Sequence, residues 1–423
     1  MSIVHQSHAL NVSGAKPSTQ RLYFLDWVRI LAFAMLVPYH VGMYYVTWYW
    51  HVKSPFASSA LEPWMRLSSP WRMSLLFVVS GAATAFMLAS QGASIALLRQ
   101  RTARLLLPLL CGVLVVVSPQ SYFEVVQRFQ FAGSFADFMQ LYLSAYGGFC
   151  SVKRSCLILP TWNHLWFLPY LLCYTVLLWL SVRGSANILD RIAARADAVL
   201  RANDLQRTYW LLLLPIFYLT STRLLLQPRY PISNALAGDW FAHSQYLALF
   251  LLGAVLARVP AVWPRFEQIR WFALGLALLS WATLVAGFNI SVIGPIAFSA
   301  EQWCAIAAAL GFARRHLNRD SKVRIYLTEA VFPFYILHQS VIILLAIALA
   351  PLMLPPMLEG PLLIVATFVL ALLSFEGIRR IGWLRPLFGL SKATPANRKT
   401  LDLREVWLAL SHKRRKRLAR RGA

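Results

Sequence analysis

Charge is scarce in this chain. Only 13% of its 423 residues are Asp, Glu, Lys or Arg, about half the share of an ordinary soluble domain, so a water-facing surface of normal polarity cannot be assembled from it. Acidic residues are scarcer still, 16 against 41 basic ones. Cysteine is too sparse for a disulfide framework. Of the five, Cys111, Cys173 and Cys304 fall in apolar runs as small packed residues. Cys150 and Cys156 share one expected outside loop, where an oxidising compartment permits a bridge. Three familiar signatures are missing: a Gly-rich phosphate loop, a His-Glu-x-x-His helix and a Gly-x-Ser-x-Gly turn. The common soluble nucleotide, zinc-protease and hydrolase readings go with them, and no metal is expected. Residues 1–20 are polar and no small-residue cleavage site follows. The first apolar run carries Asp26, Arg29 and His40, a poor leader core, so it is expected to be a retained first span.

Apolar surface is what the chain has in excess. Hydrophobic residues make up 58% and aromatic residues 13%, with 16 Trp and 16 Tyr, the belt-forming residues of membrane interfaces. Runs of about 20 apolar residues occur near 25–47, 71–90, 103–123, 164–182, 209–227, 242–258, 270–288, 293–313, 328–350 and 361–383, each long enough to span a bilayer as a helix. The expected fold is all-α, a polytopic membrane protein of about ten transmembrane helices with both termini cytoplasmic. Its parts are a cytoplasmic segment at 1–20, a transmembrane domain at 21–385 and a basic cytoplasmic tail at 386–423.

The formal net charge of +25 invites a nucleic-acid reading, but position argues against it. With the N-terminus inside, about 32 of the 41 basic residues fall on inside connections and tails, about 8 fall outside, and Arg29 lies within a span. Adding or removing one helix would scramble that alternation. The tail carries Leu403, Val406, Trp407 and Leu410 at helical spacing before Lys413 to Arg417, the pattern of an amphipathic helix on an anionic inner leaflet.

Candidate chemistry lies in ionisable residues within the spans, each costing about 2.5–3.5 kcal/mol at mid-bilayer. Arg29 and His40 are eleven residues apart, which places them within about 20° of one helix face and about 16 Å apart along its axis. Asp26 stands one turn before Arg29 and can pair with it. Such a column could connect a cytoplasmic anion to a reacting centre within the membrane. A snorkelling Arg and a His hydrogen-bonded between helices are the plainer readings.

Arg29-x10-His40, preceded by Leu25-Asp26, resembles the opening motif of the acyltransferase 3 family of membrane acyltransferases. The second span resembles its Ser-Gly segment through Arg72, Ser80 and Gly81, and QRTARLLLPLL its basic third-span start through Arg101 and Arg104. Asn163-His164-Leu165-Trp166-Phe167-Leu168 and Phe334-Tyr335-Ile336-Leu337-His338 resemble its later aromatic helices. The likeness runs over about residues 21–385 and is nearest in style to the branch that includes glucan-succinylating proteins.

That resemblance implies a multi-pass protein of a bacterial cytoplasmic (inner) membrane. It would move an acetyl or succinyl group from cytoplasmic acyl-CoA, the donor substrate, to a hydroxyl of an extracytoplasmic glycan or glycolipid. His40 is then the general base or a transient acyl carrier. Arg29 holds a CoA phosphate or developing negative charge, and Arg72 positions the acceptor or the oxyanion. Arg104 meets CoA phosphates or serves as a positive-inside anchor. His164 and His338 are catalytic or structural, and Glu301 partners a buried Arg or His. Membrane lipid is a partner and nucleic acid is not. A transporter or exporter of a glycan or small anionic metabolite is the alternative, since it too would line a path with such groups. A scaffold with a basic tail is a third.

Overall fold

A computed structural model describes residues 22–150, 156–185, 187–201, 205–287 and 292–391. The tail sequence read above as an amphipathic helix lies outside the described residues, as does the segment 1–20. Each of the ten apolar runs forms a helix: α1 (Tyr23–Tyr45), α2 (Arg72–Gln91), α3 (Ile95–Phe129), α4 (Asn163–Gly184), α5 (Leu205–Leu226), α6 (Trp240–Leu256), α7 (Val262–Val285), α8 (Ile293–Leu317), α9 (Lys322–Leu349) and α10 (Pro356–Arg380). Among the described residues nine helices are long and apolar enough to cross a bilayer, and α6, with 17 residues, is shorter. No strand occurs among them. Lipid offers the backbone no hydrogen-bond partners, so a spanning segment must satisfy its own.

Polarity is inverted relative to a soluble protein. Phe217, Leu225, Trp271 and Leu279 face outward, while Arg72, Glu301, His338 and Gln339 are buried. Helix α1 lies inside the bundle, against α2, α8, α9 and α10. It is interrupted at Met35, three residues before Pro38, which has no N–H to return to the carbonyl of Ala34. The break redirects the half that carries His40.

Helix α3 widens into a π-helical stretch at Gly112–Val117, just before Pro119, whose missing N–H releases the carbonyl four residues back. Two carbonyls of that stretch take outside donors. Val113 accepts from Tyr142 Oη at 2.9 Å and Val116 from Ser340 Oγ at 2.5 Å. Gly81, read from sequence as a motif residue, has a packing role. A Cβ there would stand 1.8 Å from the Phe250 carbonyl oxygen of α6, and one at Gly253 would stand 2.0 Å from that of Val78. Bare backbone on both sides lets α2 and α6 cross in contact.

The long connection between α3 and α4 folds on itself. It carries a short helix, Phe135–Leu143, and packs Phe138, Tyr142, Phe149 and Leu159 with Val125 of α3 into a small core. Cys150 and Cys156 are joined there in a disulfide. On the other face of the bundle the helix Ile188–Arg201 is tied to the start of α7 by Arg265, which donates to the Leu200 carbonyl at 3.0 Å.

Candidate active site

Three imidazoles from three helices meet beside α1. His40 Nδ1 lies 3.0 Å from His338 Nε2 of α9, and the rings of His338 and His164 of α4 stand at right angles with centroids 5.1 Å apart. Their tautomers follow from the acceptors they face. His338 Nδ1 lies 2.6 Å from the Tyr335 carbonyl, an oxygen that only accepts, so Nδ1 carries the hydrogen and Nε2 the lone pair. His40 must therefore donate from Nδ1, which leaves the lone pair of a neutral imidazole on its own Nε2. The same reasoning protonates His164 at Nε2, 3.0 Å from the Ile336 carbonyl, and lets its Nδ1 accept from Gln120 Nε2 at 3.3 Å.

Gln120 of α3 is the hub behind these rings. It also donates to Ser340 Oγ at 2.6 Å and accepts from Gln339 Nε2 at 2.9 Å and Asn163 Nδ2 at 3.2 Å. A fully bonded network of this kind holds its members in one arrangement.

Around His40 the supply of donors exceeds the acceptors. Arg72 is buried and its guanidinium sits 3.3 Å above the Tyr39 ring, where it interacts electrostatically with both His40 and His338. Its Nε and Nη1 are buried and have no hydrogen-bond partner among the described residues. Trp50 lies nearly parallel to the His40 ring, with 14° between planes and 6.4 Å between centroids, and its indole N–H is likewise buried and unpartnered. The loop that delivers Trp50 is fastened on both sides. His51 Nδ1 meets Glu124 Oε2 at 2.6 Å and Tyr49 donates to the same carboxylate. The Lys53 N–H and carbonyl pair with the Gln127 amide at 2.8 and 2.9 Å. Lys53 Nζ also donates to the carbonyls of Met43 and Val46, each at 2.6 Å, and burial lowers its ammonium to about 8.

Arg29 belongs to a second cluster. With Arg101 and Arg104 it forms a group of mutually repelling guanidiniums, and the Nε atoms of Arg29 and Arg101 are buried without a partner. Asp26, expected to pair with Arg29, stands 3.9 Å from it and is in closer contact with Arg324. Arg104 donates from Nε to the Gly389 carbonyl at 3.0 Å. Phe33 lies between Arg29 and His40 along α1, in ring contact with Tyr335 and Phe167. The single polar column expected from the eleven-residue spacing is thus two polar clusters with an aromatic layer between them, because helix periodicity fixes direction and not what fills the gap.

Glu301 is buried within α8 with neither carboxylate oxygen hydrogen-bonded. Its electrostatic partner is Arg66, and the structure does not bring it to the histidines. Residues the motifs did not single out are Gln120, Ser340 and Trp50. A glutamine inside an apolar run was a signal for the first. Nothing in the sequence marks Trp50 among 16 tryptophans.

A helical membrane bundle holding a neutral imidazole, uncompensated buried donors and a separate cationic cluster is suited to polar group transfer within the bilayer. The family model described as an acyltransferase domain matches residues 22–376, and the chain belongs to that family, the acyltransferase 3 membrane acyltransferases. It is also similar to glucans biosynthesis protein C of Escherichia coli strain K12 and of strains O1:K1 / APEC and O139:H28. Each is 28% identical over 170 residues, which covers 40% of this chain and 41% of the relative. No solved structure matches.

Proposed function

We propose that this protein moves an acyl group, acetyl or succinyl, from cytoplasmic acyl-CoA to a hydroxyl of an extracytoplasmic glycan or glycolipid. The observation that carries the reading is the hydrogen-bond chain from the Tyr335 carbonyl through His338 to His40. It leaves an imidazole lone pair on His40 Nε2, and a weak sugar nucleophile needs a proton acceptor of that kind. Arg29, Arg101 and Arg104 supply the charge that CoA phosphates require. The glycan acceptor is supported by the family and by the names of the relatives.

Sidedness is supported by the basic-residue alternation and by the Cys150–Cys156 disulfide in the α3–α4 connection, since such bonds persist in oxidising compartments. Reporter fusions after about residues 60, 230 and 355 should read outside, and fusions after about 100, 200 and 320 inside. The reverse pattern would exchange the donor and acceptor sides.

The direct test is reconstitution in liposomes with labelled acetyl-CoA or succinyl-CoA and a glucose oligosaccharide. It is paired with mass spectrometry of envelope glycans from cells with and without the protein. Transfer of label and a lost acyl mass support the reading. Unchanged glycans with no transfer from either donor would refute it. Within that assay, Arg29→Ala and Arg101→Ala should each raise KM for acyl-CoA about tenfold or more, since a hydrogen bond to a charged group is worth roughly 1.5–3 kcal/mol. An unchanged KM in both would remove this cluster from donor binding.

A further inference from the structure

Two side chains near His40 carry donors for which the described residues provide no acceptor. A buried N–H left unbonded costs roughly 1–3 kcal/mol, and such a group in a native structure calls for an explanation, a catalytic role among them. Here there are three such atoms on two residues, Arg72 Nε, Arg72 Nη1 and Trp50 Nε1. They come from different segments, Trp50 with its ring centroid 6.4 Å from that of His40 and Arg72 seated on the ring of Tyr39, the residue next to His40. Both side chains are more than nine-tenths buried, Arg72 at 6% exposure and Trp50 at 8%.

Neither residue is placed by chance packing. Arg72 is stacked on Tyr39, the residue next to His40. Trp50 is set parallel to the imidazole by a loop clamped to α3 through Tyr49, His51 and Lys53. A tryptophan needed only for apolar contact could point its N–H to the backbone, as Trp71 does to the Leu67 carbonyl at 2.7 Å and Trp303 to that of Leu211 at 2.7 Å. Trp50 does not.

We infer that Trp50 is a catalytic hydrogen-bond donor, and that its indole N–H and the Arg72 guanidinium together form the oxyanion hole for acyl transfer. The inference rests on the acyltransferase reading. As the acceptor hydroxyl oxygen bonds to the acyl carbonyl carbon, His40 Nε2 takes the hydroxyl proton and the carbonyl π pair moves onto oxygen. The oxyanion so formed accepts from Trp50 and Arg72. Its collapse restores the carbonyl and breaks the carbon–sulfur bond. CoA leaves with the electron pair and takes the proton from His40, giving ester and free thiol. A neutral donor beside a cationic one stabilises charge that exists only in the transition state, which is where binding energy accelerates the reaction.

The test is Trp50→Phe in the reconstituted full chain, with labelled acetyl-CoA and succinyl-CoA and a glucose oligosaccharide. Phenylalanine keeps an aromatic face against His40 and removes the N–H. Turnover should fall about 100-fold, with KM for donor unchanged and the same thermal melting point. Turnover within twofold of the unsubstituted protein overturns the inference. Where Trp50→Phe melts earlier, replacing Trp50 with β-(3-benzothienyl)alanine keeps the bicyclic ring and exchanges only N–H for sulfur. Loss of turnover then supports the donor role, and normal turnover overturns it. If the unsubstituted protein transfers nothing from either donor, the acyltransferase reading itself fails, and this inference with it.

Discussion

His40→Ala lowers acyl-transfer turnover by about 10²–10⁴-fold, the range expected when a positioned general base is lost. A sugar hydroxyl does not ionise appreciably at neutral pH, so its attack on a thioester requires something to take the proton as the bond forms. Among the described residues, His40 Nε2 is the one nitrogen of the three clustered imidazoles without a hydrogen-bond partner. Both nitrogens of His338 and of His164 are engaged. The measurement is label transfer by the purified variant in liposomes, with melting temperature as the control for folding. A folded His40→Ala protein with normal turnover would remove His40 from the chemistry and return it to the role of an interhelical hydrogen bond.

His338→Ala should lower kcat by about 10- to 100-fold and leave KM nearly unchanged, since an outer partner that fixes the tautomer of a working imidazole is worth roughly that much. The physical reason is directional. The Tyr335 carbonyl can only accept, so His338 presents a lone pair to His40 and forces the hydrogen of His40 onto Nδ1. Without that acceptor His40 is free to protonate Nε2 instead, and a nitrogen that carries hydrogen cannot take one from the sugar. His338→Gln separates this effect from a packing defect. Its side-chain oxygen can stand near the former Nε2 and accept from His40, so most turnover should return. His338→Lys offers only donors and should behave like alanine or worse. Equal turnover in all three variants would show that His338 fills space and does not orient its neighbour.

The transmembrane helices were legible because lipid imposes a local rule. A segment with no water to bond must satisfy its own backbone, so about 20 consecutive apolar residues define a helix without reference to the rest of the chain. The basic residues on alternate connections are a second local signal, the one from which sidedness is expected. Arg29, His40, Arg72, His164 and His338 could be named as candidates for a related reason. Polar groups are costly within a span, and their presence there is informative wherever the neighbours lie.

Partners were not legible. His40 and His338 are 298 positions apart, and the oxygen that fixes both their tautomers is a backbone atom with no side-chain signature. Gly81 could be noted as part of a motif, yet its reason for being glycine is the Phe250 carbonyl on another helix. Asp26 was placed beside Arg29 by helical spacing and does pair with it at 3.9 Å, but its closer partner, Arg324 from α9, is one that only folding brought near.

The chain's own residues determined that this is a helical membrane protein, where its spans lie and which polar groups they carry, because hydropathy and charge act over short stretches. Only the tertiary structure decided that the polar groups separate into a histidine site and an arginine cluster, and that Trp50 stands over the first. Hydrogen bonds and ring contacts between distant segments depend on the directions and distances that packing sets, and periodicity along one helix does not contain them.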